Sequence, residues 1–289
     1  MKKFLIMLMM VSLIVLAACG SSDEAEGSEE GGEDKGTISF AVTPWTSTVP
    51  PTKVAKIILE DMGYEVEETQ ADVSSTFVGL SRGDLDVFID SWMPAHELQF
   101  EEYEDSIEMV ATSYEDADSG LVIPTYVEGI EKVSDLKGRE DEFNNKIYGI
   151  EEGASATEMM RDLIEEADLD LELITSSEGG MLAQAQKEMN SDNPVIFYGW
   201  RPHTMFNKYD IEVIEDDYGY FETSSVHVLA NNGLKDKAPD AYEFLQNWSI
   251  PLEDVEEMIV KIEDGQDEEE VAQEWIDEHQ DQVDNMLNN

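Results

Sequence analysis

Cations are scarce in this chain: its 289 residues carry 17 Lys and Arg against 67 Asp and Glu, a formal net charge of −50 at pH 7. Nucleic acid is therefore disfavoured as a partner of the folded part, and so are anionic lipid headgroups. The acids are spread along nearly every segment rather than gathered in one tail, which reads as a solvated acidic surface. Cysteine is scarcer still. Cys19 is the only one, so no internal disulfide can form and no thiol is left in the body of the chain for nucleophilic work. There is no Gly-x-Ser-x-Gly elbow, no His-Glu-x-x-His pair and no phosphate loop. The run Asp264-Gly-Gln-Asp-Glu-Glu-Glu270 lacks the alternating ligands of a calcium loop and reads as surface. No enzymatic activity, metal or cofactor is expected.

The first residues say where the chain works. Lys2 and Lys3 precede the apolar run Phe4–Leu16, which is too short for a comfortable membrane span and fits the core of a secretory signal. It ends in Leu16-Ala-Ala-Cys19, similar to the lipobox of bacterial lipoproteins, in which the cysteine is acylated and becomes the mature N-terminus. Residues 1–18 are thus read as a signal peptide and Cys19 as a lipid attachment site that anchors an extracytoplasmic protein. Residues 19–36, rich in Gly, Ser and acids, cannot contribute to a core and read as a flexible, self-repelling tether.

From Thr37 onward strands and helices alternate. Ile38–Val42, Asp84–Asp90, Lys146–Ile150 and Val195–Tyr198 read as strands, while Val54, Ile57, Ile58 and Met62 share one face of a helix ended by Gly63. This order favours an α/β chain with a parallel sheet covered by helices. Leu121–Pro124 and Ser225–Ala230 are the candidate crossovers between two lobes, and Ser155–Glu166 is a helix with Ser155 as its cap. Pro239 and Pro251 suit first helical turns of an all-helical C-terminal segment. Trp248 and Trp275 fall on apolar helical stripes and read as core. His279 reads as a boundary residue, and His227 lies in a strand with no partner visible in the sequence.

The other tryptophans behave differently. Trp45, Trp92 and Trp200 each follow a strand-like run, which places them in βα loops, where open α/β sheets bind ligands. Indole faces attract cations that have no N–H to donate, so converging indoles suit a quaternary ammonium group. Three faces supply about 2–6 kcal/mol, whereas micromolar binding needs about 8 kcal/mol. A second anchor is therefore required. Gly153-Ala-Ser-Ala156 offers backbone donors at a helix start for a carboxylate, in a segment without Lys or Arg, and His96 adds a further donor.

Three segments carry a closer likeness: Thr43-Pro-Trp-Thr-Ser-Thr-Val49, Asp90-Ser-Trp-Met-Pro-Ala-His96 and Tyr198-Gly-Trp-Arg-Pro-His-Thr-Met-Phe206. With them the chain resembles the substrate-binding lipoproteins of ABC importers for glycine betaine, proline betaine and related osmoprotectants. The resemblance implies a prism of Trp45, Trp92 and Trp200 around the ammonium head, with His96 and the amides of Ser155 and Ala156 on the carboxylate. It implies a two-lobed, type II-like periplasmic-binding-protein fold with a cleft and two crossovers, lobe 1 being 37–121 plus 226–289 and lobe 2 being 122–225. It further implies a monomer that delivers its ligand to an ABC permease and ATPase. Arg201, beside the box, is expected to point outward. A choline- or carnitine-specific binding protein, the ligand-binding lobe of a sensor and an extracellular enzyme are the alternatives; turnover of a betaine would mark the last.

Overall fold

The computed structural model describes residues 35–288. The signal peptide 1–18 and the tether as far as residue 34, Cys19 included, lie outside the described residues. Lys35 and Gly36, read as the end of the tether, already belong to the folded body: Lys35 N–H donates to the Gly63 carbonyl (3.1 Å), and Glu65 N–H donates to that of Gly36 (3.0 Å).

The chain builds one sheet, leaves it to build a second, and returns. β1 (Thr37–Val42), α1 (Val49–Asp61), β2 (Glu65–Gln70), α2 (Val73–Arg82), β3 (Val87–Met93), α3 (Glu97–Tyr103) and β4 (Ile107–Ala117) come first. The second sheet is made by β5 (Ser119–Pro124), β6 (Lys146–Gly149), α4 (Ser155–Glu166), β7 (Glu172–Thr175), α5 (Glu178–Met189), β8 (Phe197–Trp200), α6 (Met205–Lys208) and β9 (Ile211–Val213). The chain closes with β10 (Ser224–Asn231), α7 (Leu234–Lys237), α8 (Pro239–Gln246), α9 (Leu252–Glu263), α10 (Glu268–Glu278) and α11 (Gln280–Leu287).

The sheets run β2-β1-β3-β10-β4 and β7-β6-β8-β5-β9. Both are mixed rather than wholly parallel. β1 is parallel to β2 and β3, and β10 is antiparallel to β3 and β4. In the second sheet β6 is parallel to β7 and β8, and β5 is antiparallel to β8 and β9. The antiparallel strands are those that carry the chain between sheets, a feature invisible in local periodicity. Leu121–Pro124 lies inside β5, so the passage between sheets runs through Ala117–Ser119.

Local chemistry explains the elements that frame the cleft. Pro50 and Pro51 open α1, where their missing N–H groups would have no helical partner anyway. Asp72 caps α2 by accepting from Ser75 N–H at 2.7 Å. Pro251 is the cap residue before α9 rather than part of its first turn. β3 is central and covered on both faces, and every residue from Val87 to Trp92 is buried. Trp248 and Trp275 are indeed core, their indole N–H groups donating to Ser113 (2.8 Å) and Asp254 (3.0 Å). His227, partnerless in the sequence, meets Ser225 (2.7 Å) and Thr112 (3.3 Å) across β10 and β4. Among the described acids, Asp86, Asp90, Glu140 and Glu178 are buried and the rest have solvent access. No helix of the described residues is long and apolar enough to cross a membrane.

Candidate ligand-binding site

A single cavity between the sheets is lined by Trp45, Trp92, Trp200, His96, Ser155 and Ala156, together with Tyr198, Ile150, Met159 and Glu222. The residues singled out from the sequence for ligand contact thus meet in one place. Their routes to it differ from the expectation that all three indoles sit in loops. Trp45 does follow β1, but Trp92 and Trp200 are the last residues but one and the last of their strands. Trp92 is paired with Val226 of β10 and Trp200 with Ser119 of β5. Strand pairing is a firmer mount than a loop, because pairing with the neighbouring strand fixes where the ring leaves the sheet.

Trp92 is held from two directions. Its indole N–H donates to Asp90 at 3.1 Å, and its backbone N–H donates to Nδ1 of His96 at 3.1 Å. Asp90 is fully buried and also accepts from Ser47 (3.2 Å), Thr48 (2.6 Å) and the Tyr114 hydroxyl (3.5 Å). Burial pushes its carboxyl up to about 6, the four donors pulling the other way.

His96 packs among the rings of Trp45 (6.5 Å), Phe77 (6.0 Å) and Phe88 (6.4 Å). Desolvation lowers its pKa to about 4, so the ring is neutral at pH 7. With Nδ1 accepting from Trp92, the proton sits on Nε2, and that N–H has no acceptor among the described residues. A neutral donor therefore looks into an aromatic cavity.

The opposite wall begins α4. Gly153 has φ +89°, a left-handed turn that L side chains rarely adopt, and it brings the chain round to Ala154. Ala154, not Ser155, is the cap residue, and it has no side-chain acceptor to offer. Ser155 is the first helical residue, its hydroxyl accepting from Gln99 at 3.3 Å. The N–H groups of Ser155 and Ala156 have no acceptor among the described residues, so two donors and a helix dipole face the cavity. Thr157 N–H is already taken by the Ala154 carbonyl (3.0 Å).

Trp200 lies against Tyr198, centroids 5.5 Å apart, and meets His203 edge-on at 4.9 Å. Gly199 between them cannot be larger, because a Cβ there would come 2.5 Å from Val122 Cγ2 of the neighbouring strand. Arg201 turns away, pairing with Glu256 at 3.1 Å and lying over the Phe206 ring at 4.4 Å. Among the described residues, no Lys or Arg lines the cavity. Trp45 N–H donates across to Glu151 at 2.9 Å, and burial raises that carboxyl's pKa. Tyr198, Asp90 and Glu151 were not singled out from the sequence. Asp90 had a signal, an acid closing the apolar run Val87-Phe-Ile89 immediately before a tryptophan motif; the other two had none.

Residues 36–278 match the family model described as the substrate binding domain of ABC-type glycine betaine transport system. The glycine betaine/carnitine transport binding protein GbuC of Listeria monocytogenes is 34% identical over 147 residues, covering 50% of this chain and 49% of that relative. The matched stretch is thus about half the length of that protein. Lactococcal OpuAC, closed and complexed with glycine betaine, superposes with TM-score 0.82 at 28% identity, covering 87% of this chain and 99% of its own. An ABC-transporter choline binding protein in complex with choline gives TM-score 0.81 at 31% identity, with 87% and 91% covered. The two-lobed α/β architecture is therefore the type II periplasmic-binding-protein fold.

Proposed function

This chain belongs to the substrate-binding domains of ABC-type glycine betaine transport systems, and from that membership and the geometry of its cleft we propose that it captures glycine betaine or a related quaternary ammonium osmoprotectant and hands it to an ABC importer. The observation that carries the reading is the meeting, in one cavity, of three indoles with a neutral N–H donor and two unclaimed helix amides. The indoles of Trp45, Trp92 and Trp200 hold the trimethylammonium head, which their negative faces attract. His96 Nε2–H and the amides of Ser155 and Ala156 receive the carboxylate. A zwitterion fits this division of labour: no protein cation competes with the head, and neutral dipoles suffice for the tail.

The two sheets with their helices act as jaws, 37–117 plus 224–289 against 119–213, because β5 belongs whole to the second sheet and β10 whole to the first. The ligand stabilises the closed state through contacts that only closure completes. The binding protein works as a monomer outside the cytoplasm, held at the membrane by lipid on Cys19. Metabolic labelling with an alkyne fatty acid is expected to tag the parent but not Cys19→Ser; a parent that takes up no label would refute the lipid anchor.

Calorimetric titration of glycine betaine, proline betaine, carnitine, choline and ectoine tests the ligand class, and His96→Asn tests the division between head and tail. The substitution keeps an acceptor for Trp92 N–H and removes the Nε2 donor. Betaine affinity is expected to fall about tenfold or more, while choline, which has no carboxylate, changes by less than about twofold. Equal losses for both would contradict the assigned role of His96. No heat with any quaternary ammonium compound would end the reading. Tight choline binding with no response to betaines would move the chain to the choline-specific alternative.

A further inference from the structure

Behind the cavity, where the two lobes meet, lies a buried carboxylate that the site description does not use. Glu178 is the first residue of α5 in the second lobe and is 7% exposed. Its Oε2 accepts from the backbone N–H of Thr46 (3.0 Å) and its Oε1 from the Thr46 hydroxyl (2.9 Å), both in the first lobe. The same Oε1 accepts from Nε2 of His203 at 3.0 Å. Nδ1 of His203 is occupied, accepting from Met205 N–H at 2.9 Å, which fixes the proton on Nε2. One carboxylate thus joins three donors contributed by both lobes.

Its partners are the immediate neighbours of the cavity walls. Thr46 follows Trp45, and His203 abuts the edge of Trp200. Glu178 itself does not line the cavity. Separating the lobes breaks both bonds to Thr46 and leaves the bond to His203, so the full set exists only with the cleft shut.

Glu178, His203 and Glu263 also place ligand atoms within 4.8 Å of one another. These groups already have protein partners, however: Thr46 and His203 on Glu178, Thr204 and Lys208 on Glu263. The cluster is built as a hydrogen-bonded seam, not as a vacant metal site.

We propose that Glu178 is a positioning residue that ties closure of the cleft to the placement of Trp45 and Trp200, strengthening ligand retention without touching the ligand. This rests on the betaine-binding reading above. It makes a distinctive demand: loss of Glu178 must weaken every ligand that uses the closed state by the same factor.

The test is Glu178→Gln, which keeps the shape but turns an amide NH2 toward donors on one side. Glycine betaine and choline are titrated by calorimetry, and dissociation is followed by stopped-flow indole fluorescence. Affinity for each ligand that the parent binds is expected to fall about tenfold, through faster release. Where both bind, their ratio stays unchanged. Thr46→Val is the milder companion, because it removes the hydroxyl donor and leaves the backbone one; it should give a smaller loss of the same kind. Parental affinities in both variants, even with a lowered melting temperature, would reduce Glu178 to a structural role and overturn the proposal. So would a change in the betaine-to-choline ratio, which would mean direct ligand contact. A parent that binds neither compound would remove the betaine reading, and this inference with it; a parent that binds while the variants bind equally well removes the inference alone.

Discussion

Replacing Trp200 with alanine is expected to weaken glycine betaine binding about thirtyfold while the protein still folds. A desolvated cation–indole contact is worth about 2 kcal/mol, and every 1.4 kcal/mol is a factor of ten in affinity. Trp200 is 4% exposed, so its face works in a largely water-free setting, where the upper end of that range applies. The fold should survive because β8 is held by backbone pairing of Trp200 with Ser119 and of Tyr198 with Leu121, which alanine retains. The melting temperature will still fall, since Tyr198 and His203 lose a packed ring. That loss is smaller than for a closed core because the space left opens into the cavity. Trp200→Phe should fall between the two, keeping a weaker quadrupole in the same place. Calorimetry of the three proteins decides: parental affinity in the alanine variant would show that this indole does not hold the ammonium group.

Much of this site was legible in the sequence because indole chemistry is specific and tryptophan is rare. Five tryptophans divide into a core pair and a cavity trio, and the structure keeps that division, although Trp248 follows α8 instead of lying on it, and Trp92 and Trp200 lie at the ends of their strands instead of beyond them. The helix Ser155–Glu166 was readable apart from its cap, since Gly153 marks its approach. What could not be read was anything set by pairing over long sequence distance. The antiparallel placement of β5 and β10 depends on the chain changing sheets, and no local pattern records that. The anchoring acids were hidden for a different reason. With 67 Asp and Glu in the chain, an acid carries almost no information by itself. Glu151 meets Trp45 across 106 positions and Glu178 meets Thr46 across 132, so only the fold separates these carboxylates from dozens of solvated ones. Ser155 was misassigned as a cap because serine is a favoured residue there. The position actually belongs to Ala154, whose missing cap oxygen leaves the Ala156 amide unclaimed, while the Ser155 amide, at the first helical position, lies out of reach of any cap side chain.

The pair that mounts Trp92 leads to the second large effect, a pH dependence that is concealed in the parent and exposed in variants. Burial raises the Asp90 carboxyl from 3.8 to about 6, so the folded state prefers it protonated. The stability it contributes is fully present below 3.8 and is lost as pH rises through about 6. Burial lowers His96 from 6.5 to about 4, so the folded state prefers it neutral. Its contribution is present above 6.5 and is lost as pH falls through about 4. Each contribution amounts to roughly 3 kcal/mol at 1.36 kcal/mol per pH unit, and over nearly the same window they have opposite signs. In the parent they largely cancel. Removing one partner uncovers the other: relative to the parent, Asp90→Asn should lose about 3 kcal/mol of stability between about pH 7 and pH 4, and His96→Asn should gain about as much. Urea unfolding at the two pH values measures this directly, and taking variant-minus-parent differences removes the shared contribution of the many other acids. Curves for the two variants that run parallel to the parent's would mean that neither group is desolvated as its position implies. Opposite slopes would show that a carboxyl and an imidazole on either side of one tryptophan keep its mount steady across mildly acidic conditions, where either alone would make it sensitive to pH.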